Sequence, residues 1–193
     1  MSEPARILAK SRSHPPITLW LSPLLLFQST PAKILELWYC GVNLIGSLVQ
    51  SKVLYPAMNY FLAKSDPSEY SLDDLERDGQ TAWTGVKNAQ AQQAIRAMKD
   101  GDCVICYHST GQAKVVGWGY VAGDVYPDPE NPKLSVFQYR FGGRLAQPVS
   151  LTQIKESGLF GDFALVRQPR LSTMPAPMEF VKWLKQQRRD FRP

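Results

Sequence analysis

Four short segments hold the residues whose types and spacing could do chemistry. They are "KSDP" (64–67), "WTGVKN" (83–88), "YHS" (107–109) and "RLS" (170–172). Each sits where a strand or loop meets a turn or helix, where binding residues collect. Lys64 and Lys87 are cations. Ser65, Asn88 and Ser109 donate and accept hydrogen bonds, and Trp83 and Tyr107 offer flat faces. Asn88 can cap a helix by accepting from the free backbone N–H groups of its first turn. A helix start also attracts anions and carbonyl oxygens through its partial positive charge. A flat ligand with a polar edge suits this set, and a nucleobase is such a ligand: its face stacks and its edge is read by hydrogen bonds.

Each residue also has a plain structural reading. Trp83 is of a type that usually fills a core. His108 alternates with Val104 and Cys106 on one strand face and has no nucleophile or metal partner in sequence. Lys87 beside a cap reads as a solvated charge. Asp66 before Pro67 reads as turn chemistry, and Arg170 reads as half of an ion pair. A hydrolase is less well supported, because the chain has no G-x-S-x-G, paired-carboxylate motif, phosphate loop or metal-ligand spacing. His14 and His108 are the only histidines. An enzyme acting on nucleobases or RNA would need Lys64 or His108 as its base. Cys103 and Cys106 form C-x-x-C, but "GDCVICYHS" reads as a buried strand that points them to opposite faces. No second pair completes a zinc site, so neither a metal nor a cofactor is expected.

The positioning elements fall into two unlike parts. Residues 1–57 carry the apolar runs "ITLWLSPLLLF" (17–27) and "ILELWYCGVNLIGSLVQ" (34–50). Each is shorter than the ~20 residues that span a bilayer, so membrane contact is expected only through residues 17–50, if at all. This part reads as a loosely attached extension, and Met58 reads as the natural start of the functional domain, 58–193. Residues 1–57 hold five Lys/Arg and two Asp/Glu, whereas 58–193 hold seventeen and fifteen. A local groove, not a global field, would therefore have to hold an anionic partner. Three cysteines without a clear secretory signal fit a reducing compartment, the cytoplasm, or the nucleus of a eukaryote.

From Met58 the pattern is mixed α and β. Strands are expected at 59–64, 102–109, 114–126 and 134–141. Helices are expected from Ser71, from Asn88 (with Ala91, Ile95 and Met98 as an apolar stripe), over 150–157, and from Pro177 as first residue. Gly117 and Gly119 share a strand face, which suits a tight bend or close backbone approach. Residues 162–174 read as extended segments broken near Pro169. "KQQRRDFRP" reads as a frayed basic tail. Strands punctuated by short helices without a βαβ rhythm give an α+β fold, a small open or closed barrel decorated by helices.

From about 58 to 186 the ordered set "NYFLAKSDP", "WTGVKNAQAQQAIRAMKDGD", "CYHS", "VAGDVYPDP" and "RLSTMP" resembles the EVE domain of the PUA-like superfamily. The resemblance implies a small β-barrel surrounded by short helices, and a binder rather than a catalyst. Related domains hold a flipped-out or single modified base at the barrel mouth, so the implied partner is modified RNA or DNA. By motif, Lys64, Ser65 and Asp66 correspond to the family's Lys-Ser-Glu-Pro turn. Trp83, Val86, Lys87 and Asn88 correspond to Trp-x-Gly-Val-Arg-Asn. Tyr107, His108 and Ser109 correspond to Tyr-His-Ser, and Leu171 and Ser172 to Arg-Leu-Ser. On this reading Trp83 is a pocket wall, Asn88 and Ser109 read the base edge, and Lys64 and Lys87 hold phosphate or a base carbonyl. Lys87 stands where the family has Arg, trading a two-pronged donor for a point charge.

Overall fold

A computed structural model describes residues 58–111 and 113–193. The expectations for residues 1–57, a loose extension with membrane-seeking segments, lie outside the described residues. Among the described residues no helix is long and apolar enough to cross a membrane.

Among the described residues the elements follow one another as β1 (Tyr60–Ser65), α1 (Leu72–Asp78), β2 (Gln80–Trp83), α2 (Ala89–Arg96), β3 (Cys103–His108), β4 (Lys114–Val121), β5 (Tyr126–Pro127), β6 (Ser135–Ser150), α3 (Leu151–Glu156), α4 (Ala164–Arg167), β7 (Thr173–Pro175) and α5 (Met178–Gln187). The strands form one mixed sheet in the order β2-β6-β4-β3-β1-β7, with β5 on β6. Among these strands only β1 and β3 pair in parallel. The sheet curls into an open barrel, because its end strands β2 and β7 pair with β6 and β1 and not with each other. Helix α2 packs against the end strand β7 and against β6, the neighbour of the other end strand β2.

Local sequence explains the elements. Ser71 and Asp74 form a capping box at α1, and Ser150 and Gln153 form another at α3. Asn88 caps α2, whose Ala91 and Ile95 are fully buried, followed by buried Met98. Gly117 and Gly119 are required where β4 meets β6. A Cβ on Gly119 would run into the Arg140 carbonyl and come within 2.6 Å of the Tyr139 ring. Register shifts flank Trp118 at these glycines, and a further one falls between Cys106 and Tyr107.

Several expectations are corrected. Strand β2 has no counterpart among the expected strands, because "QTAW" is too short to show alternation. Strand β6 runs on to Ser150 instead of stopping at 141, since Gly142 and Gly143 give way to the Trp118 ring and do not break the strand. Residues 164–167 within the expected extended stretch form the short helix α4. The C-terminal tail is docked, not frayed: Phe191 is 2% exposed and meets Trp118 edge-on at 5.2 Å. Pro177 is the cap of α5 and not its first residue.

Candidate functional site

Parallel pairing of β1 with β3 sets Lys64 beside Tyr107 and Ser65 beside His108. Side chains alternate along a strand, so Lys64 and Tyr107 leave one face of the sheet while Ser65, Cys106 and His108 leave the other. Here "KSDP", "YHS" and "RLS" come together. The backbone N–H of Lys64 donates to the Ser172 carbonyl at 2.7 Å, and both the N–H and Oγ of Ser109 donate to the Ser65 carbonyl. Thr110 Oγ1 donates to the Asp66 carboxylate at 2.6 Å, and the N–H and Oγ of Ser68 donate to the same oxygen. These bonds, Thr110's first, hold the Asp66 carboxyl below the usual carboxylate range. Asp66 is thus a turn organiser, and Ser109 closes the β1–β3 seam.

On the first face the Lys64 ammonium is buried. It donates to the carbonyls of Gln168 and Pro169 at 3.2 and 3.3 Å and lies 5.9 Å from the centre of the Tyr107 ring. Burial lowers its pKa to about 8 and pushes the Tyr107 hydroxyl up to about 12. Lys64 ties β1 to the segment leading into buried Leu171.

On the second face His108 Nε2 accepts from the backbone N–H of Leu72 at 3.1 Å, supplying a partner to the first turn of α1. Burial, aided by the nearby Lys114 charge, lowers its pKa and favours the neutral ring that can accept. The Trp83 indole is 1% exposed and meets Tyr139 edge-on at 5.6 Å. Tyr139 in turn lies against Gly119, which pairs with Val104, so Trp83 shares the face of Ser65. Trp83 and Lys64 are therefore on opposite faces. In this conformation Trp83 is a core residue with no exposed ring face.

The "WTGVKN" segment is tied to β6 and α2. Trp83 pairs with Phe137 in the β2–β6 ladder. Buried Gln92, which the sequence does not single out, donates to the carbonyls of Val86 and Ser135 and accepts from the Ser135 N–H. Val86 is buried and Lys87 is exposed. Asn88 Oδ1 accepts from the N–H groups of Gln90 and Ala91, so its oxygen is committed to the cap. Helix α2 packs on β7, the strand that follows Leu171 and Ser172.

Among the described residues four buried side-chain polar atoms lack a well-aligned hydrogen-bond partner, Ser65 Oγ, Trp83 Nε1, Trp118 Nε1 and Thr173 Oγ1, although Ser65 Oγ lies near enough to the Cys106 thiol to act on it. Three of them share one face. Thr173 pairs with Ala63, which points the same way as Ser65, and Trp83 lies on that face through Tyr139. Only Trp118, opposite Ile105, is on the other side. Thr173 is fully buried and gives no signal in the sequence, because its place beside Ser65 depends on the β1–β7 register. Among the described residues no group of three or more His, Cys, Asp or Glu side chains could hold a metal ion.

A curled mixed sheet, open between β2 and β7 and decorated by short helices, is the architecture on which these residues sit. The chain belongs to the EVE domain family, whose model matches residues 59–187. It is 29% identical over 157 residues to thymocyte nuclear protein 1 of Rattus norvegicus, covering 63% of this chain and 70% of that one. A solved protein structure from Agrobacterium tumefaciens is 34% identical, with a TM-score of 0.64 over 67% of this chain and 92% of that one. The human thymocyte nuclear protein 1, solved in complex with 5-methylcytosine-containing DNA, shares the fold at 23% identity. Its TM-score is 0.62 over 70% of this chain and 99% of that one.

Proposed function

We propose that this chain is a non-enzymatic nucleic-acid-binding domain that holds one modified nucleobase against the Ser65 face of its sheet. The observation that carries the proposal is that Trp83 Nε1 and Thr173 Oγ1, buried without a hydrogen-bond partner, belong to residues on one face of the sheet together with Ser65 Oγ, whose neighbour there is the weakly bonding Cys106 thiol. Leaving such atoms unpaired costs about 1–3 kcal/mol each, and a base edge would relieve that cost. The two hydroxyls can donate or accept and the indole only donates, a mixed set that suits a base carrying both group types. The DNA complex of the human relative supports the class of partner. A base already out of a stack is favoured, since extrusion costs a few kcal/mol. The hydrolase reading has less support. His108 Nε2 already accepts from Leu72 and the Lys64 ammonium already donates to two carbonyls, so neither presents an idle base.

The test uses the full chain and fluorescence anisotropy with single-stranded oligonucleotides, with and without one 5-methylcytosine. Thr173→Val removes one polar atom at nearly constant volume, whereas Trp83→Phe removes one and also leaves a cavity in the core, so its folding is checked by urea unfolding before binding is read. Each should weaken binding to the modified strand about tenfold, the value of one lost hydrogen bond of ~1.4 kcal/mol. Thr173→Val should also be at least as resistant to urea as wild type, because the hydroxyl has no partner to lose. Variants that keep both affinity and discrimination would remove these atoms from the site.

A further inference from the structure

The strong basic character of the domain is confined to its last dozen residues. Residues 58–181 hold twelve Lys/Arg and fourteen Asp/Glu, whereas 182–193 hold five and one. The docked tail sorts these groups. Phe191 enters the core against Trp118, and the Asp190 carboxylate accepts from the Ala146 N–H at 2.6 Å. Arg188 is pinned by the carbonyls of Gln147 and Pro148 on β6. Arg189, between these anchors, and Arg192, directly after the last of them, stay exposed, with Arg192 Nε donating to the Arg189 carbonyl at 3.0 Å. The anchoring holds the backbone that carries both cations, which removes part of the entropy a loose tail would lose on binding.

The neighbouring surface continues the same chemistry. The Trp118 ring that receives Phe191 also lies against Gly143, and the Tyr120 ring lies against Gly142. Exposed Arg140 stands 5.8 Å from the Tyr120 ring centre. Arg144, further along β6, pairs with Asp73 and Glu76 and adds no net charge. Arg140 thus lies over the half-buried Tyr120 ring beside Gly142, while Phe191, flanked in sequence by Asp190 and Arg192, covers the next ring on the same face, Trp118.

We propose that the surface bearing Arg140, Arg189 and Arg192 is a phosphodiester-contacting strip, which carries the strand of a nucleic acid outside the base site. It deepens the proposed nucleic-acid binding but rests on different residues, and Arg189 and Arg192 lie beyond the family-matched range. Planar guanidinium groups pair with phosphate oxygens through two hydrogen bonds, and this attraction is independent of base sequence.

The test compares full-chain wild type with Arg189→Gln/Arg192→Gln and with Arg140→Gln, measuring affinity for an unmodified single-stranded oligonucleotide across a salt series. Wild type should show log K falling with log salt. Removing one phosphate-pairing cation should reduce that slope by about 0.7. Arg189→Lys/Arg192→Lys should retain the slope. Preference for a 5-methylcytosine strand over the unmodified one should be the same in wild type and the Gln variants. Unchanged affinity and slope in the Gln variants would overturn the strip, as would a wild type that binds anionic vesicles but no oligonucleotide. A wild type that binds the unmodified strand, loses slope in the Gln variants and shows no preference for the modified base upholds the strip and sinks the base site.

Discussion

Replacing Lys64 with Met tests whether the buried ammonium is held against its own stability cost. Burial lowers its pKa from 10.5 to about 8. Each pKa unit corresponds to about 1.36 kcal/mol, so the charged form costs about 3 kcal/mol near pH 7. The folded state gives up this proton more readily than the unfolded chain does. The cost is therefore complete below about pH 8 and fades as pH rises toward about 10.5, so stability rises over that window. Between about pH 7 and about pH 9.5 the relief amounts to roughly 2 kcal/mol. Met keeps a long stem and drops the charge, but it also leaves the Gln168 and Pro169 carbonyls without this donor. That loss offsets about 1–3 kcal/mol of the gain. We expect Lys64→Met to unfold in urea within about 1 kcal/mol of wild type near pH 7, as buried charges replaced by apolar groups commonly do. Wild type should then gain about 2 kcal/mol on the variant by about pH 9.5. Taking the difference cancels the buried thiols of Cys103 and Cys106 and the Tyr107 hydroxyl, all pushed up to about 12 in both proteins. A difference that stays flat across this range would refute the desolvation argument.

His108 has a folded pKa below its usual 6.5, so its contribution is complete above about pH 6.5 and drains away as pH falls below that value. His108→Gln, which keeps an acceptor for Leu72 N–H, should flatten the dependence of the urea midpoint below about pH 6.5. Gly119→Ala should lower stability by about 1–3 kcal/mol or more, read by urea unfolding, because its Cβ meets backbone and a buried ring. Asn88→Ala should cost about 1 kcal/mol through the lost cap, visible in the same assay. Ser71→Ala should cost a similar amount, again about 1 kcal/mol, at the start of α1.

The local signals in the sequence carry much of the fold. The caps at Ser71, Asn88 and Ser150 mark where helices begin, because a cap acts within one turn. The glycine pair on β4 signals close approach, and the Arg140 carbonyl and Tyr139 ring supply it. Long-range register is what the sequence does not display. Its motifs group Lys64 and Trp83 in one pocket, yet alternation along β1 and the β3–β4–β6 ladder sends them to opposite faces. Thr173 is invisible as a site residue because nothing near it in sequence says that it will lie beside Ala63. The tail reads as frayed because its arginines are exposed, while the one ring that holds it finds Trp118 only in the folded sheet.

Strand β1 is the first strand of the sheet, yet its two neighbours, β3 and β7, come after α2 and near the C-terminal end of the matched region. Closing such long loops costs entropy before any pairing returns free energy. During synthesis β1 must therefore wait, with both edges unpaired, until most of the domain has emerged. The candidate site at its end has no local precursor: the seams that define Ser65, Ser109 and Thr173 close together with the whole sheet. Loss of β7 by truncation would expose the flank of β1, and a nascent or clipped chain would offer that strand to other chains before its own sheet had closed.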